Sequence, residues 1–213
     1  DKQEYVYSDL GYYYFYRLIE KMTHHPLEKF VREQFYEPIG AYATGYLPLQ
    51  WAAKNRIVPT ENDMVFRREL LRGYVHDPGA AMLGGVCGHA GIFSNANDLA
   101  KIMQMYLNKG AYGGKRYFNP ATVEKFTHSP FKEKNDNRRA IGFDKPVTEE
   151  GSPGPTAKGV AEISFGHSGF TGTIAWADPK EEVVYIFLSN RVHPDQDNLK
   201  LIKKDIRTKI QRV

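Results

Sequence analysis

The chain has one cysteine, Cys87, in 213 residues. That excludes an internal disulfide and leaves the redox compartment open, since a single thiol fits oxidising or reducing surroundings alike. No apolar run approaches the roughly 20 residues of a membrane span, and no signal peptide stands at Asp1. Charge of one sign is also missing: 29 basic against 25 acidic residues give a formal +4. Such a balance speaks against nucleic acid as a partner bound through a basic surface. Paired metal ligands are lacking too. Cys87-Gly88-His89 offers one short pair, with His76 further upstream, whereas structural zinc favours two closely spaced pairs, so no metal or other cofactor is expected. There is no internal repeat.

What is present is a globular composition, 41% hydrophobic and 13% aromatic, in a length that suits one domain with a substantial core. From Leu10 to Met22 the residues Leu10, Tyr14, Phe15, Leu18, Ile19 and Met22 form one helical stripe, which puts Tyr7-Ser8-Asp9 at a helix entrance. A second helix opens at Pro26, with Leu27, Phe30, Val31 and Phe35 on its buried face, and stops before Pro38 and Gly40. Residues 41 to 93 lack sustained periodicity and are rich in turn formers, so they read as long ordered loops over a site. Ser94 is predicted to cap a helix carrying Leu99, Ile102, Met103, Tyr106 and Leu107, stopped by Gly110; Asn119-Pro120 opens a shorter one through Phe126.

After the charged loop KEKNDNRRA the pattern changes. Residues 141–143, 162–166, 173–177 and 183–189 read as strands, the last two joined through Asp178-Pro179-Lys180. The stretch EEGSPGPTAKG between the first two is a loop, not a domain linker. The C-terminal LKLIKKDIRTKIQRV repeats Leu199, Ile202, Ile206 and Ile210 at helical spacing among basic residues. A terminal helix packed on a sheet is the simplest account; a basic amphipathic helix also suits an anionic membrane surface. The sum is α+β: a single domain over 1–213, helical and looped over 1–139, antiparallel strands over 140–193, and a C-terminal helix over 194–213.

The chemistry-bearing runs are YSDLGY, GGVCGHAGIFS followed by NDLAKIMQMYLNKG, then FGHSGFTGT and FLSNRVHP. In this order they resemble the β-lactamase and penicillin-binding-protein superfamily of serine hydrolases, closest to its class C β-lactamase-like branch, over essentially the whole chain. The resemblance implies a β-lactamase/transpeptidase-like fold and three functional elements: an early Ser-x-x-Lys, a Tyr-x-Asn-like turn and a Lys-Thr-Gly-like strand. Only the last two are visible. A literal Ser-x-x-Lys, Ser129-Pro130-Phe131-Lys132, follows the tyrosine instead of preceding it and ends in a charged loop, where its lysine would stay protonated and inert.

By resemblance Tyr7 matches the general base, a phenol that needs neighbouring cations before it can take a proton at neutral pH. Asp9 stands where the family often has an amide and adds negative charge beside that base. His167 takes the place of the motif lysine, Ser168 and Gly169 complete the element, and Phe170 follows with a backbone N–H for a developing oxyanion. Imidazole in place of a permanent ammonium weakens recognition of a substrate carboxylate, which favours ester or peptide hydrolysis over antibiotic cleavage. Arg191 leaves the last strand as a candidate substrate contact. Without the family context, Tyr7-Ser8-Asp9 is a helix cap and His167 a strand-edge histidine.

The resemblance further implies an acyl-enzyme hydrolase of esters, cell-wall peptides or β-lactams, with a small-molecule or peptide substrate and a periplasmic or extracellular setting. A segment upstream of Asp1 is expected to carry the serine, so that the isolated chain is inactive. Tyr7 and His167 are expected to face one cleft. The competing expectation is a non-catalytic penicillin-binding-like module that binds wall-derived ligands or a partner domain. Fusion to a β-N-acetylglucosaminidase-like glycoside hydrolase belongs with either.

Overall fold

The computed structural model describes residues 5–135, 137–148 and 154–212. Its elements follow the predicted α+β order, helices and irregular segments first, then antiparallel strands and a helical tail. The chain sorts into two compact units. One comprises Tyr7–Asp98 with Asn190–Asn198. The other comprises Leu99–Ser189 and Leu199–Val213 with the described residues of Asp1–Val6.

The first unit opens with α1 (Leu10–Thr23), closed by His24 in the left-handed region at φ 55°. The predicted stripe is helical, but it is not the buried face. Tyr16 is buried, and Tyr13 and Ile19 pack beside it on a core of Leu27, Tyr46, Val75, Ala80, Val86 and Cys87. Leu10, Tyr14, Phe15, Leu18 and Met22 are exposed. Periodicity fixes that a face exists; with aromatics on several sides, the partner selects which face is covered.

Helix α2 (Leu27–Val31) is shorter than predicted, because from Arg32 to Tyr36 the chain widens into a π-helix closed by the Glu37 amide on the Arg32 carbonyl. Leu27 is buried and Phe30 meets Phe35 edge to face at 6.2 Å. The region expected to be loops contains an antiparallel hairpin, β1 (Pro59–Asp63) with β2 (Glu69–Arg72). Glu, Asn and Asp are poor strand formers, so the pattern hides it.

Charge holds this hairpin instead. Arg67 donates from Nε to Asp63 at 2.8 Å and from Nη2 to Glu61 at 3.0 Å, and from Nη1 to the Val75 carbonyl at 2.6 Å. Downstream, α3 (Pro78–Met82) is capped by Asp77, whose carboxylate accepts from the Ala80 amide at 2.7 Å.

Helix α4 spans Ala96–Leu107. Its capping bond comes from Asn95, which accepts from the Asp98 amide at 2.8 Å. The predicted cap, Ser94, shares a hydrogen bond of 2.6 Å with Thr44 instead. Gly110, at φ 90°, stops the helix as expected.

In the second unit a two-residue pairing, β3 (Ala111–Tyr112) with β4 (Lys115–Arg116), turns through Gly113-Gly114. Helix α5 (Pro120–Thr127) begins at the predicted proline, and α6 (Lys132–Asn135) adds one turn within the charged loop.

The sheet is β5 (Phe165–Ser168), β6 (Ile174–Asp178) and β7 (Val183–Phe187), antiparallel in that order. Residues 141–143 form no strand. A single bridge from Asp144 to Gly166 stands in for it. The first sheet strand also starts later than predicted, which carries His167 and Ser168 into the ladder. Met103, Phe165 and Ala177 are the core here, with Phe143 edge to face on Phe165 at 5.2 Å and on Tyr106 at 5.3 Å.

The predicted terminal helix is two short ones, α7 (Lys200–Lys203) and α8 (Ile206–Gln211), broken at Asp205 with φ 53°. Residues 149–153 of the Gly/Pro-rich stretch lie outside the described residues.

Candidate active site

The strand motif forms one continuous wall. His167 pairs with Ala175 and Ser168 with Ile174, after which Gly169 donates to the Thr173 carbonyl at 2.8 Å and Gly172 to the Gly169 carbonyl at 3.0 Å. This turn holds Phe170 at its tip with an exposed side chain. Glycine is needed twice here. A Cβ on Gly166 would sit 2.3 Å from the Ala175 carbonyl oxygen, and one on Gly169 would sit 2.4 Å from Thr173 Oγ1.

His167 is held at both nitrogens. Its Nδ1 lies 2.8 Å from the Ser168 carbonyl oxygen, and its Nε2 lies 3.1 Å from Arg139 Nη1. Arg139 Nη2 is in turn 3.3 Å from Asp144, which also accepts from Arg138 Nη2. The ring of Tyr5 faces the Arg139 guanidinium at 6.0 Å. Asp144 is buried, and its backbone exchanges both hydrogen bonds with Gly166. That bridge carries the arginine pair alongside β5.

Sequence reasoning missed Arg139. The available signal was the adjacent pair Arg138-Arg139 just ahead of an apolar segment, and it reads as part of a charged loop until the Asp144 bridge is known. Lys145, next in the chain, is buried and donates to the Thr127 and Ile163 carbonyls at 3.1 and 3.0 Å. Burial pulls its pKa down to about 8.

Tyr7 and Asp9 stand at the entrance of α1, in the other unit. Tyr7 is exposed. Ser8 Oγ accepts from the Leu10 amide at 3.2 Å, while Asp9, at the cap position, makes no side-chain capping bond. The Asp9 charge is felt by Tyr13: burial first, then Asp77, Cys87 and Asp9, raise that phenol above its ordinary value. Arg191 is buried and donates to the Gln196 carbonyl at 2.8 Å, which ties the turn that follows it.

The literal Ser-x-x-Lys is divided between separate partners. Ser129 Oγ donates to the Arg138 carbonyl at 2.6 Å, and Lys132 pairs with Glu162. Two further histidines have acids beside them, His89 on Asp77 at 2.9 Å and His76 near Glu61 at 2.8 Å. Among the described residues no group of three or more His, Cys, Asp or Glu is placed to hold a metal ion. A cavity of about 370 Å³ in the first unit is lined by residues such as Leu47, Tyr74, Val75 and Phe93. Gly84, Gly85 and Phe93 of the glycine-rich run border it, while Tyr7, Asp9, His167, Ser168, Gly169, Phe170 and Arg191 do not.

A helical first part, an antiparallel sheet and a tyrosine turn followed by a His-Ser-Gly strand define a protein with the fold of serine β-lactamases and penicillin-binding proteins. The Beta-lactamase family model matches residues 2–207, and the chain belongs to that family. A relative in Escherichia coli (strain K12), with the provisional name D-alanyl-D-alanine carboxypeptidase, is 36% identical over 203 residues, 89% of this chain and 46% of the relative. A Bacillus subtilis (strain 168) protein named N-acetylmuramyl-L-alanine amidase is 34% identical over 204 residues, 89% of this chain and 45% of that one.

The chain thus spans about half the length of the curated relatives it matches. Among solved structures, a β-lactamase from Mycobacterium bovis aligns with TM-score 0.64 at 18% identity, covering 97% of this chain and 62% of that one. A penicillin-binding-protein homologue from Caulobacter crescentus aligns with TM-score 0.54 at 19% identity, covering 82% and 49%. These likenesses show the fold.

Proposed function

We propose that this chain is the tyrosine-and-strand part of a serine hydrolase that cleaves cell-wall peptides or related esters through an acyl-enzyme, in the periplasm or outside the cell. The observation that carries this is the β5 wall, an ordered His-Ser-Gly-Phe element at a strand end, in a chain whose relatives bear names of wall-peptide chemistry. The serine and lysine come from residues outside this chain, in keeping with relatives about twice its length. The serine Oγ attacks the substrate carbonyl, its proton passes to Tyr7, and the Phe170 N–H steadies the oxyanion. The leaving group departs with that proton, and water then releases the acyl group. Asp9 shapes the field around Tyr7, His167, Ser168 and Gly169 line the substrate strand, and Arg191 supports the substrate side through the turn it braces.

A second role, binding wall-derived ligands without turnover, is favoured by one observation: both Asp9 and His167 depart from the strongest motif forms. Labelling separates the two. The 213-residue chain is expected to show no turnover and no covalent adduct with a fluorophosphonate or penicillin probe, whereas the parent protein labels at one serine upstream of Tyr7. Stoichiometric labelling of Ser129 would overturn the assignment, and a parent that does not label at all would leave the binding role.

A further inference from the structure

We infer that the C-terminal tail, residues 199–212, is a docking surface for an anionic lipid bilayer. The first observation is where the charge lies. Six cations, Lys200, Lys203, Lys204, Arg207, Lys209 and Arg212, stand here against one acid, Asp205. That excess of five is larger than the +4 of the whole chain, so the other residues together are close to neutral. A field gathered into one short segment is drawn to a surface of opposite sign, and each basic residue near an anionic bilayer strengthens attachment several-fold.

The second observation is that the tail sits the opposite way round from a helix packed on a sheet. Helical spacing predicts Leu199, Ile202, Ile206 and Ile210 on the sheet side. Instead Leu199, Ile202 and Ile210 are 40, 52 and 48% exposed, whereas Thr208 is buried. The contacts that seat the tail are polar. Tyr185 Oη donates to the Arg207 carbonyl, Arg207 Nη1 donates to the Thr173 carbonyl, and Gln211 Oε1 accepts from the Ala157 amide. Turned outward is a mixture of aliphatic side chains and cations, with Lys200, Lys203, Lys204, Lys209 and Arg212 all exposed.

This mixture selects the occupant. A soluble polyanion would engage the cations and leave three aliphatic side chains in water. A protein partner needs roughly 20–30 residues a side, more than the tail presents. A bilayer takes both kinds of group: the aliphatic side chains enter the acyl boundary to a depth of roughly 5–10 Å, and the long lysine stems keep the ammonium groups among the phosphates. Among the described residues no helix is long and apolar enough to cross a membrane. The contact is therefore with the bilayer surface, and it is independent of the reaction proposed above.

The test sediments the 213-residue chain with vesicles of phosphatidylcholine and with vesicles that also contain phosphatidylglycerol. Binding to the anionic vesicles is expected to be on the order of tenfold tighter and to fall toward the neutral value in about 0.5 M salt. Lys203→Glu with Lys204→Glu should remove the preference for phosphatidylglycerol. Ile202→Ser with Ile210→Ser should weaken binding on the order of tenfold. All four side chains are exposed, so thermal unfolding of both variants should match that of the unsubstituted chain. Equal binding to the two kinds of vesicle would overturn the inference. An isoleucine pair without effect would overturn it too, since the tail would then read negative charge alone, as tight binding of dextran sulfate would also show. Tyr14→Ser with Leu18→Ser alters the exposed stripe of α1 and should leave vesicle binding as it is; loss of binding there would move the contact off the tail and overturn the assignment. On the unsubstituted chain, a lipid-borne nitroxide should broaden the methyl signals of Ile202 and Ile210 more than those of buried Ile174, and no such difference would overturn it.

Discussion

His89 and Tyr13 stack face to face, ring centroids 4.8 Å apart and planes 27° from parallel, while the far edge of the same imidazole meets Asp77 at 2.9 Å. The Gly-rich segment is thereby clamped between α1 and the cap of α3. Replacing His89 by Ala removes the stack and the hydrogen bond and should cost about 1–3 kcal/mol. Urea unfolding at constant m-value measures it. His89→Gln, which keeps a donor, should recover part; equal loss in both variants would mean that the hydrogen bond contributes nothing.

Gly166→Ala and Gly169→Ala differ in what their new Cβ meets. At Gly166 the obstacle is backbone, the Ala175 carbonyl; at Gly169 it is the Thr173 hydroxyl. Backbone cannot turn away and a side chain can, so Gly166→Ala should fall at the upper end of about 1–3 kcal/mol and Gly169→Ala near the lower end. Thermal unfolding of the two variants ranks them, and the reverse order would refute the packing described.

Arg67 neutralises two acids that are themselves buried, Glu61 and Asp63. Arg67→Met should destabilise the chain by about 3–5 kcal/mol, since it removes the cation that both carboxylates share. The hydrogen bond from Arg67 first, and three backbone amides besides, outweigh burial and hold Asp63 well below the usual carboxylate range. A depressed folded value contributes stability that is complete above the ordinary 3.8 and is lost as pH falls below it. Acid unfolding curves should therefore steepen below that pH in the parent and flatten in Asp63→Asn.

Lys145 acts in the opposite pH range. Burial lowers its pKa from 10.5 to about 8, so the folded state binds its proton less tightly than the unfolded state. The burial penalty is full below about 8 and is relieved as pH rises toward 10.5. Stability attributable to this group rises across that window. Lys145→Met should lose that rise, read as the slope of unfolding free energy against pH; an unchanged slope would exclude Lys145 as its source.

The order of elements was legible because helical spacing, Pro120 and Gly110 are local signals. The motif residues were legible as a series, and Tyr7 to Asp9 do stand at a helix entrance. What stayed hidden was decided by partners distant in sequence. The hairpin at Pro59–Arg72 carries acids that no strand pattern flags, and Arg67, with His76 and the backbone amides at Asp63, makes them compatible with burial. The face of α1 that packs is chosen by Tyr46, Cys87 and their neighbours. Arg139 could not be separated from its charged surroundings before the Asp144–Gly166 bridge placed it beside β5.

The break at Asp205 leaves α8 to be fastened by bonds that each join a side chain to a main-chain atom: Tyr185 Oη donates to the Arg207 carbonyl at 2.8 Å, Arg207 Nη1 donates to the Thr173 carbonyl at 3.0 Å, and Gln211 Oε1 accepts from the Ala157 amide at 2.8 Å. Such a clasp reads the backbone course of the sheet and is indifferent to the side chain at position 173. The sheet turn beside the His-Ser-Gly wall can therefore change its residues over evolution without letting go of the tail.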